Sequence, residues 1–205
     1  MEYQIDLRAI KAASYAMSSE ETRKYLKGVC LEISAAHGVL AIATDGHRLI
    51  AMQAAPANGH IAPDPLEIII PDDTVKRIKI NKRYSDGILR HMGGLQWQIE
   101  HDGQIWAFQP IGSFPAWRRV LPKHTAPGEW AHFNPDYLAD MKKAGEIYEK
   151  GTEAAIITDG GNPAWCRWVS ANVPGFGVVM PKRLLADAFT MTPPAWAGWT
   201  PPMPT

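Results

Sequence analysis

One pattern occurs three times along this chain: a short run with strand character leads directly into the start of a helix. The three copies read YQIDLRAIKAASYAM, EIIIPDDTVKRIKI and AHFNPDYLADMKKA. When their helices are taken to start at Asp6, Pro71 and Asn134, the starts lie 65 and 63 residues apart. A nearly constant period of this length indicates one supersecondary unit used three times.

Each of these helix starts carries residues that stabilise a first turn. Asp6 and Asn134 are favourable N-cap residues, because a short side-chain oxygen accepts a hydrogen bond from an unpaired backbone N–H. Pro135 occupies the first position of the third helix, and Asp72 and Asp73 complement the dipole of the second. We expect three helices of about 10 to 14 residues each.

Apolar residues at helical spacing predict which faces of the second and third helices pack against a sheet. They are Val75, Ile78, Tyr137, Leu138, Met141 and Ala144.

Runs with strand character follow each helix. They read YLKGVCLEIS, GVLAIATD and HRLIAMQAA in the first unit, LQWQIEHD and QIWAFQPI in the second, and EAAIITD, AWCRWVSA and FGVVMP in the third. Most contain β-branched or aromatic residues and are bounded by Gly, Asp or Asn. Each unit is therefore predicted to form a strand, a helix and a small antiparallel meander, with the helix on one face of a sheet.

Composition sets the protein class. With 205 residues, of which 46% are hydrophobic and 20% charged, the chain is expected to be a soluble globular protein of one large or two small domains. No apolar run approaches the roughly 20 residues of a spanning helix, and the first residues do not resemble a signal peptide. The expected location is the cytoplasm.

Cysteine, histidine and charge content narrow the chemistry further. Cys30 and Cys166 lie in apolar surroundings and are predicted to be buried thiols. The seven histidines are scattered, so neither a metal site nor a cofactor is expected. A net charge of zero argues against attachment to nucleic acid over the whole surface, although it leaves room for one basic face.

The stretch ATDGHRL, Ala43 to Leu49, combines an aspartate, a histidine and an arginine, which are common active-site residues, but a turn explains it better. Asp-Gly between two apolar runs is typical of a hairpin, so Asp45 and Gly46 reverse the chain and His47, Arg48 and Leu49 begin the next strand. Catalysis needs a partner base, nucleophile or metal, and no motif supplies one. We do not expect an enzyme.

Five motifs, in order, resemble a known family, and the first of them consists of two segments. TRKYLKGVCLEI followed by LAIATDGHRLIAM resembles the middle domain of the bacterial sliding clamp, the beta subunit of DNA polymerase III. EIIIPDDTVKRI, FPAWRRVLPK, HFNPDYLADMKKA and GVVMPKRL resemble later parts of that family. The resemblance covers residues 1 to about 184 and implies an α+β sliding-clamp fold, with antiparallel sheets outside and helices on one face.

The resemblance also implies a domain organisation. Residues of about 1–62 and 63–124 correspond to two units of one clamp domain, and residues 125–184 to a further half-domain. Residues 185–205 form a tail rich in Pro and Trp that has no counterpart in the family. Nothing in this sequence corresponds to the first domain of a clamp. Because clamp rings of the family contain twelve such units, four copies of a three-unit chain would be needed, joined head to tail.

The family has a hydrophobic groove that accepts short linear peptides from polymerases, clamp loaders and repair proteins. By resemblance, the groove here would consist of Leu26, Thr44, Gly46, His47, Arg48, Leu49, Pro122, Val178, Val179, Met180, Pro181, Arg183 and Leu184. Aliphatic walls with a polarizable methionine suit an apolar anchor residue. The alternative is that the Val-Val-Met run is an ordinary strand of the core.

The family also lines its pore with basic helix faces. The corresponding residues here are Arg8, Lys11, Arg23, Lys24, Tyr25, Lys76, Arg77, Lys79, Lys82, Arg83, Lys142 and Lys143. Contacts from such residues go to phosphate and are independent of sequence. The alternative is a solvated helix surface, and Glu20 and Glu21 weaken the positive field beside Arg23.

The tail allows two interpretations. Its prolines favour a disordered end. Trp196, Trp199 and the run LADAF, Leu185 to Phe189, are instead compatible with a docking segment.

The leading hypothesis is a sliding-clamp-like processivity factor of the kind a phage would carry. It would encircle double-stranded DNA as a homotetrameric ring and tether polymerase and clamp-loader proteins through short linear peptides, without contact to a membrane. The rival hypothesis is a clamp-like adaptor or inhibitor that forms no ring and captures clamp-binding peptides.

Overall fold

The computed structural model describes residues 1–57, 65–81, 84–122, 132–157 and 163–182. The helices are α1 (Leu7–Ala13), α2 (Asp72–Arg77) and α3 (Pro135–Glu146). The strands are β1 (Glu2–Asp6), β2 (Gly28–Ser34), β3 (Gly38–Thr44), β4 (Arg48–Ala55), β5 (Leu66–Pro71), β6 (Asp86–Gly93), β7 (Gln96–His101), β8 (Gln104–Phe108), β9 (Ala154–Ile157), β10 (Ala164–Trp168) and β11 (Gly175–Val179). Short 3₁₀ turns cover Ser14–Ala16, Lys24–Leu26 and Trp117–Val120.

The strands form two antiparallel sheets. One has four strands in the order β1-β6-β7-β8, and the other has seven in the order β5-β2-β3-β4-β11-β10-β9. No helix in the described ranges combines the length and apolar character that crossing a membrane requires.

The first two units exchange their leading strands. β1 of the first unit pairs with β6 of the second, with Tyr3 opposite Leu89, and β5 of the second pairs with β2 of the first, with Leu31 opposite Ile68. Because each unit completes the other's sheet, the two units cannot separate without breaking both strand pairs.

The third unit joins the first through a direct strand pair. β11 lies antiparallel to β4, and Leu49 is opposite Val178 in that pair. The sheet therefore runs without interruption from the first unit into the third.

The main core lies between the helices and the two sheets. α1 packs on β3 and β4 with Leu7 and Ile10 fully buried, and α3 adds Met141 and Ala144 to the same cluster. The opposite face of the seven-stranded sheet has a second cluster, which residues 109–122 cover with Phe114 and Trp117.

The predicted helix starts and most predicted strands are confirmed. The side chain of Asp6 accepts a hydrogen bond from the backbone N–H of Arg8 at 2.9 Å, and that of Asn134 accepts one from Asp136 at 3.1 Å. Val75 and Ile78 are buried as expected. All three meanders are present.

Three local predictions were wrong. α1 and α2 have only 7 and 6 residues. α1 passes into a 3₁₀ turn, and α2 ends because Ile78 leaves helical geometry, with ψ at 121°, while its side chain stays in the core. β6 was not expected, since Arg90 and His91 interrupt its apolar pattern. Finally, β4 begins at Arg48 rather than His47.

The lead-in to α3 is less regular than predicted. Before this helix the described residues show a single bridge, between His132 and Lys182, in place of a strand. Residues 123–131 lie outside the described part of the chain.

At Gly145, α3 packs closely against Trp168 of β10. A Cβ at this position would lie against the indole ring of Trp168 and 2.6 Å from Cγ2 of Thr152. The indole cannot move freely, because its N–H donates to the carbonyl oxygen of Met141 at 2.8 Å.

We expect Gly145→Ala to lower the free energy of unfolding by about 1–3 kcal/mol, although alanine is normally the better helix residue. Urea denaturation measures the change, with exposed Lys142→Ala in the same helix as the control. An unchanged or higher midpoint for Gly145→Ala would contradict this packing.

Candidate functional site

The stretch ATDGHRL folds as the predicted turn. The carboxylate of Asp45 accepts hydrogen bonds from the backbone N–H groups of His47 at 2.8 Å and Arg48 at 2.9 Å. The hydroxyl of Thr44 donates to the carbonyl of Arg48 at 2.6 Å and accepts from Gly46. Gly46 has φ of 92°, a value that favours glycine. The side chains of Thr44 and Asp45 are therefore used to hold the turn.

A small cavity lies at the junction of the first and third units. Its volume is about 50 Å³. Its walls are Thr44, Gly46, Arg48, Leu49, Val120, Val178 and Met180. We call it the junction pocket. Six of these seven residues were predicted from the sequence, and the pairing of β4 with β11 brings them together.

Arg48 forms the charged wall of the junction pocket and ties it to α3. Its guanidinium lies 2.5 Å from the carboxylate of Asp140 and 3.2 Å from that of Asp45. It also lies over the ring of Tyr137, 4.6 Å from the ring centre. Because the Arg48 side chain is largely buried, these contacts hold its guanidinium in one orientation and balance its positive charge.

Val120 is the wall residue that the sequence analysis missed. It belongs to residues 109–122, which cover the outer face of the sheet, and 41% of its surface is exposed. The resemblance of its motif, FPAWRRVLPK, to the clamp family predicts Pro122 as the groove residue instead. Only the path of this covering segment shows that Val120 reaches the pocket.

A buried carboxylate anchors that covering segment. Glu32, on β2, accepts two hydrogen bonds from the guanidinium of Arg118, both at 2.6 Å, and one from the indole N–H of Trp117 at 3.1 Å. The paired Arg118 holds the pKa of Glu32 below its ordinary value, against the opposing effect of burial. The anchor places Val120 two residues further along.

The other predicted groove residues in the described ranges do not line the junction pocket. Leu26 packs beneath it in the outer cluster, and Val179 faces the opposite side of the sheet, in the main core. His47 is exposed and stacks on Tyr137, with ring centres 6.2 Å apart. Pro122 and Pro181 are half-buried. Arg183 and Leu184 lie outside the described residues.

Six of the ten predicted DNA-facing residues that the structure describes pair with acidic side chains of the same chain. Ion pairs join Arg8 to Asp6, Arg23 to Glu20, Lys76 to Asp72, Arg77 to Asp73, Lys142 to Glu146 and Lys143 to Asp140. Within the described ranges, Lys24 and Lys79 are exposed without an ion pair, and Tyr25 is exposed beside Lys24. Lys82 and Arg83 lie outside those ranges.

Lys11 has a structural contact. Its ammonium group donates to the carbonyl oxygen of Val75 at 2.6 Å and so links α1 to α2. Partial burial lowers its pKa. The half-buried Lys11 side chain thus lies between the two helices, and its contact with DNA stays a prediction.

Neither metal nor thiol chemistry has a site among the described residues. They contain no group of three or more His, Cys, Asp or Glu side chains placed to hold a metal ion. Cys30 and Cys166 are buried, and burial raises the pKa of both thiols. Both therefore serve as apolar core residues.

The fold is that of DNA polymerase sliding clamps. A sliding clamp from Pseudomonas aeruginosa aligns with a TM-score of 0.70 and 20% identity, covering 90% of this chain and 67% of that one. A sliding clamp from Bacillus subtilis aligns with a TM-score of 0.71 and 15% identity, covering 90% and 65%. These similarities confirm the predicted fold class.

Sequence comparison shows the family to which the chain belongs. The family described as DNA polymerase III beta subunit, central domain, matches residues 4–106, just over half of the chain, and the chain belongs to this family. The beta sliding clamp of Vibrio cholerae is 29% identical over 128 residues, which are 60% of this chain and 33% of that protein. That of Escherichia coli is also 29% identical over 128 residues. The chain thus spans about a third of the length of the curated relatives it matches.

The Glu32 anchor generates a pH-dependent prediction. Because the pKa of Glu32 in the folded protein lies below that of an unfolded glutamate, near 4.3, its stabilising contribution is complete above that value. The contribution is lost as the pH falls through the folded-state pKa.

We expect Glu32→Gln to lower the free energy of unfolding by roughly 1–3 kcal/mol above about pH 5, with the difference from wild type shrinking on further acidification. Denaturant titrations from pH 3 to pH 7 measure this. The control is Glu153→Gln, an exposed glutamate with no ion pair in the described residues. A difference that stays constant over this range would contradict the anchor.

Proposed function

We propose that this chain is a sliding-clamp-type processivity factor, which encircles double-stranded DNA as a ring of four copies and tethers replication proteins through the junction pocket. The observation that carries the proposal is the junction itself. A continuous sheet joins the first and third units, with an apolar pocket on its outer face and all three helices on the other. The family and the clamp fold support it.

The chemistry of the junction pocket suits the tip of an apolar side chain. Leu49, Val178 and Met180 supply aliphatic and thioether surface. A cavity of about 50 Å³ is small, and it suits the end of such a side chain. A larger anchor requires the Val120 wall to shift, and that wall belongs to the covering segment rather than to the sheet.

The helix face suits only a weak contact with DNA. A phosphate must compete there with the acidic partners of Lys76 and Arg77. Such exposed ion pairs are worth little in water, so exchanging one for a phosphate costs little. A contact of this kind is independent of base sequence and is weakened by salt, as sliding requires. The proposed role involves no catalysis.

The same pairing of charges favours a second candidate function. If the helix face is in effect neutral, the chain acts without DNA, as an adaptor or inhibitor that captures clamp-binding peptides in the junction pocket. Light scattering on a size-exclusion column separates the two functions. A mass of four chains supports the ring, and a monomer or dimer at every concentration supports the adaptor.

The peptide site is tested by trimming its accessible walls. We expect Met180→Ala combined with Val120→Ser to weaken binding of a labelled peptide with leucine and phenylalanine anchors by tenfold or more, at about 0.8 kcal/mol per buried methylene lost. Fluorescence anisotropy measures the affinity.

The matched control is Met92→Ala combined with Val169→Ser, since both residues are exposed and neither lines the pocket. Equal affinity of the two double variants would remove the pocket assignment.

The DNA face is tested by charge reversal on α2. We expect Lys76→Glu combined with Arg77→Glu to reduce retention on closed circular DNA by roughly tenfold and to weaken its salt dependence. The control, Arg119→Glu combined with Arg167→Glu, makes the same change in charge at exposed positions on the outer side of the sheet. Equal retention for both variants would contradict a basic inner face.

A further inference from the structure

The four edges of the two sheets differ in how they are protected. β1 contains Glu2 and Asp6, and β5 contains Glu67 and Pro71. Charged residues and proline on an edge strand hinder the addition of a further strand. β8 reads QIWAF and β9 reads AAII, without charge or proline, and no described residue pairs with their outer sides. Two of the four edges therefore lack this protection.

The fold itself shows what fits beside β8. β8 is the last strand of the second unit's meander, as β4 is of the first and β11 of the third. The last strands of the first and third units, β4 and β11, pair with each other in antiparallel fashion. β8 is the last strand of a meander that has no such neighbour among the described residues.

The register of that internal pair is nearly symmetric. In β4 the paired residues are Arg48–Met52, and in β11 they are Gly175–Val179, with the third residues, Ile50 and Gly177, opposite each other. Two strands of equivalent position paired antiparallel about their third residues are related by a local two-fold axis.

The same register can be applied to β8. Its third residue is Trp106, which faces the main core as Ile50 does. A second copy placed by this rule sets Trp106 opposite its own counterpart, and Ile105 opposite Ala107 of the second copy. Ile105 is 59% exposed on the outer face of the free chain, so such pairing removes an apolar side chain from water.

We propose that two copies of this chain associate through their β8 strands about a two-fold axis, which joins two four-stranded sheets into one of eight strands. The contact is isologous and replaces the head-to-tail contact expected from the sequence. The β8 pairing does not require DNA. It rests on the proposed function in one respect only, which is that this pairing would be one of the contacts of the proposed ring. The resulting dimer has a β9 edge at each end, where two dimers meet if the ring is to close.

Cysteine cross-linking tests the symmetry and the register together. Ile105→Cys combined with Ala107→Cys is expected to form a covalent dimer under mild oxidation, because residue 105 of one copy faces residue 107 of the other. Either single variant is expected to cross-link little. In a dimer of a single variant, the two introduced cysteines, one from each copy, would be diagonal neighbours about 7–8 Å apart, which is beyond the reach of a disulfide. The native thiols are buried.

Cross-linking of a single variant as readily as the double, or no covalent dimer with the double, would overturn the proposal.

Blocking the edge gives a second test, read by light scattering. Ile105→Lys is expected to lower the mass of the assembly to half or less, since a lysine protects an edge strand. Leu95→Lys, at the turn between β6 and β7 in the same sheet, is expected to leave the mass unchanged. An unchanged mass for Ile105→Lys would overturn the proposal.

DNA retention separates this proposal from the proposed function. Covalent dimers without retention on circular DNA would end the ring while leaving the β8 contact in place. Retention without cross-linking would place the ring contact elsewhere and end the β8 proposal.

Discussion

The pairing of β4 with β11 is the contact on which the rest of this structure depends. It attaches the third unit to the first and brings Leu49 beside Val178. Hydrogen-bonded backbone, rather than a linker, therefore sets the position of the junction pocket. Arg48 adds a side-chain link at the same junction, because its ion pair with Asp140 connects the start of β4 to α3. The contacts that stabilise the junction are thus the same contacts that shape the pocket.

The outer wall of the pocket depends on a different interaction. A carboxylate as buried as that of Glu32 is stable only if it is fully paired, and Arg118 and Trp117 supply that pairing. The anchor holds the covering segment against the sheet and leaves Val120 partly exposed at the pocket. The wall formed by Leu49 and Val178 is therefore part of a sheet. The wall formed by Val120 belongs to a surface segment that the Glu32 anchor holds at one point.

Charge on the helix face is arranged locally. The pairs Lys76 with Asp72 and Lys143 with Asp140 are three or four residues apart in the sequence, so each helix balances much of its own charge. This explains how a chain of zero net charge carries so many basic residues beside its helices. A DNA contact on this face would be weak at each position and would depend on many positions acting together.

The sequence by itself determined the repeat, the helix starts at Asp6 and Asn134, the hairpin at Asp45 and most strands, because caps, turns and periodicity depend on near neighbours in the chain. Six pocket residues were also identified, through resemblance to the clamp family. Only the tertiary structure decided the exchange of β1 and β5, the pairing of β4 with β11, the place of Val120 and the contact of Lys11 with Val75. These contacts join residues far apart in the chain, and their register follows from how whole sheets and helices pack rather than from any local pattern.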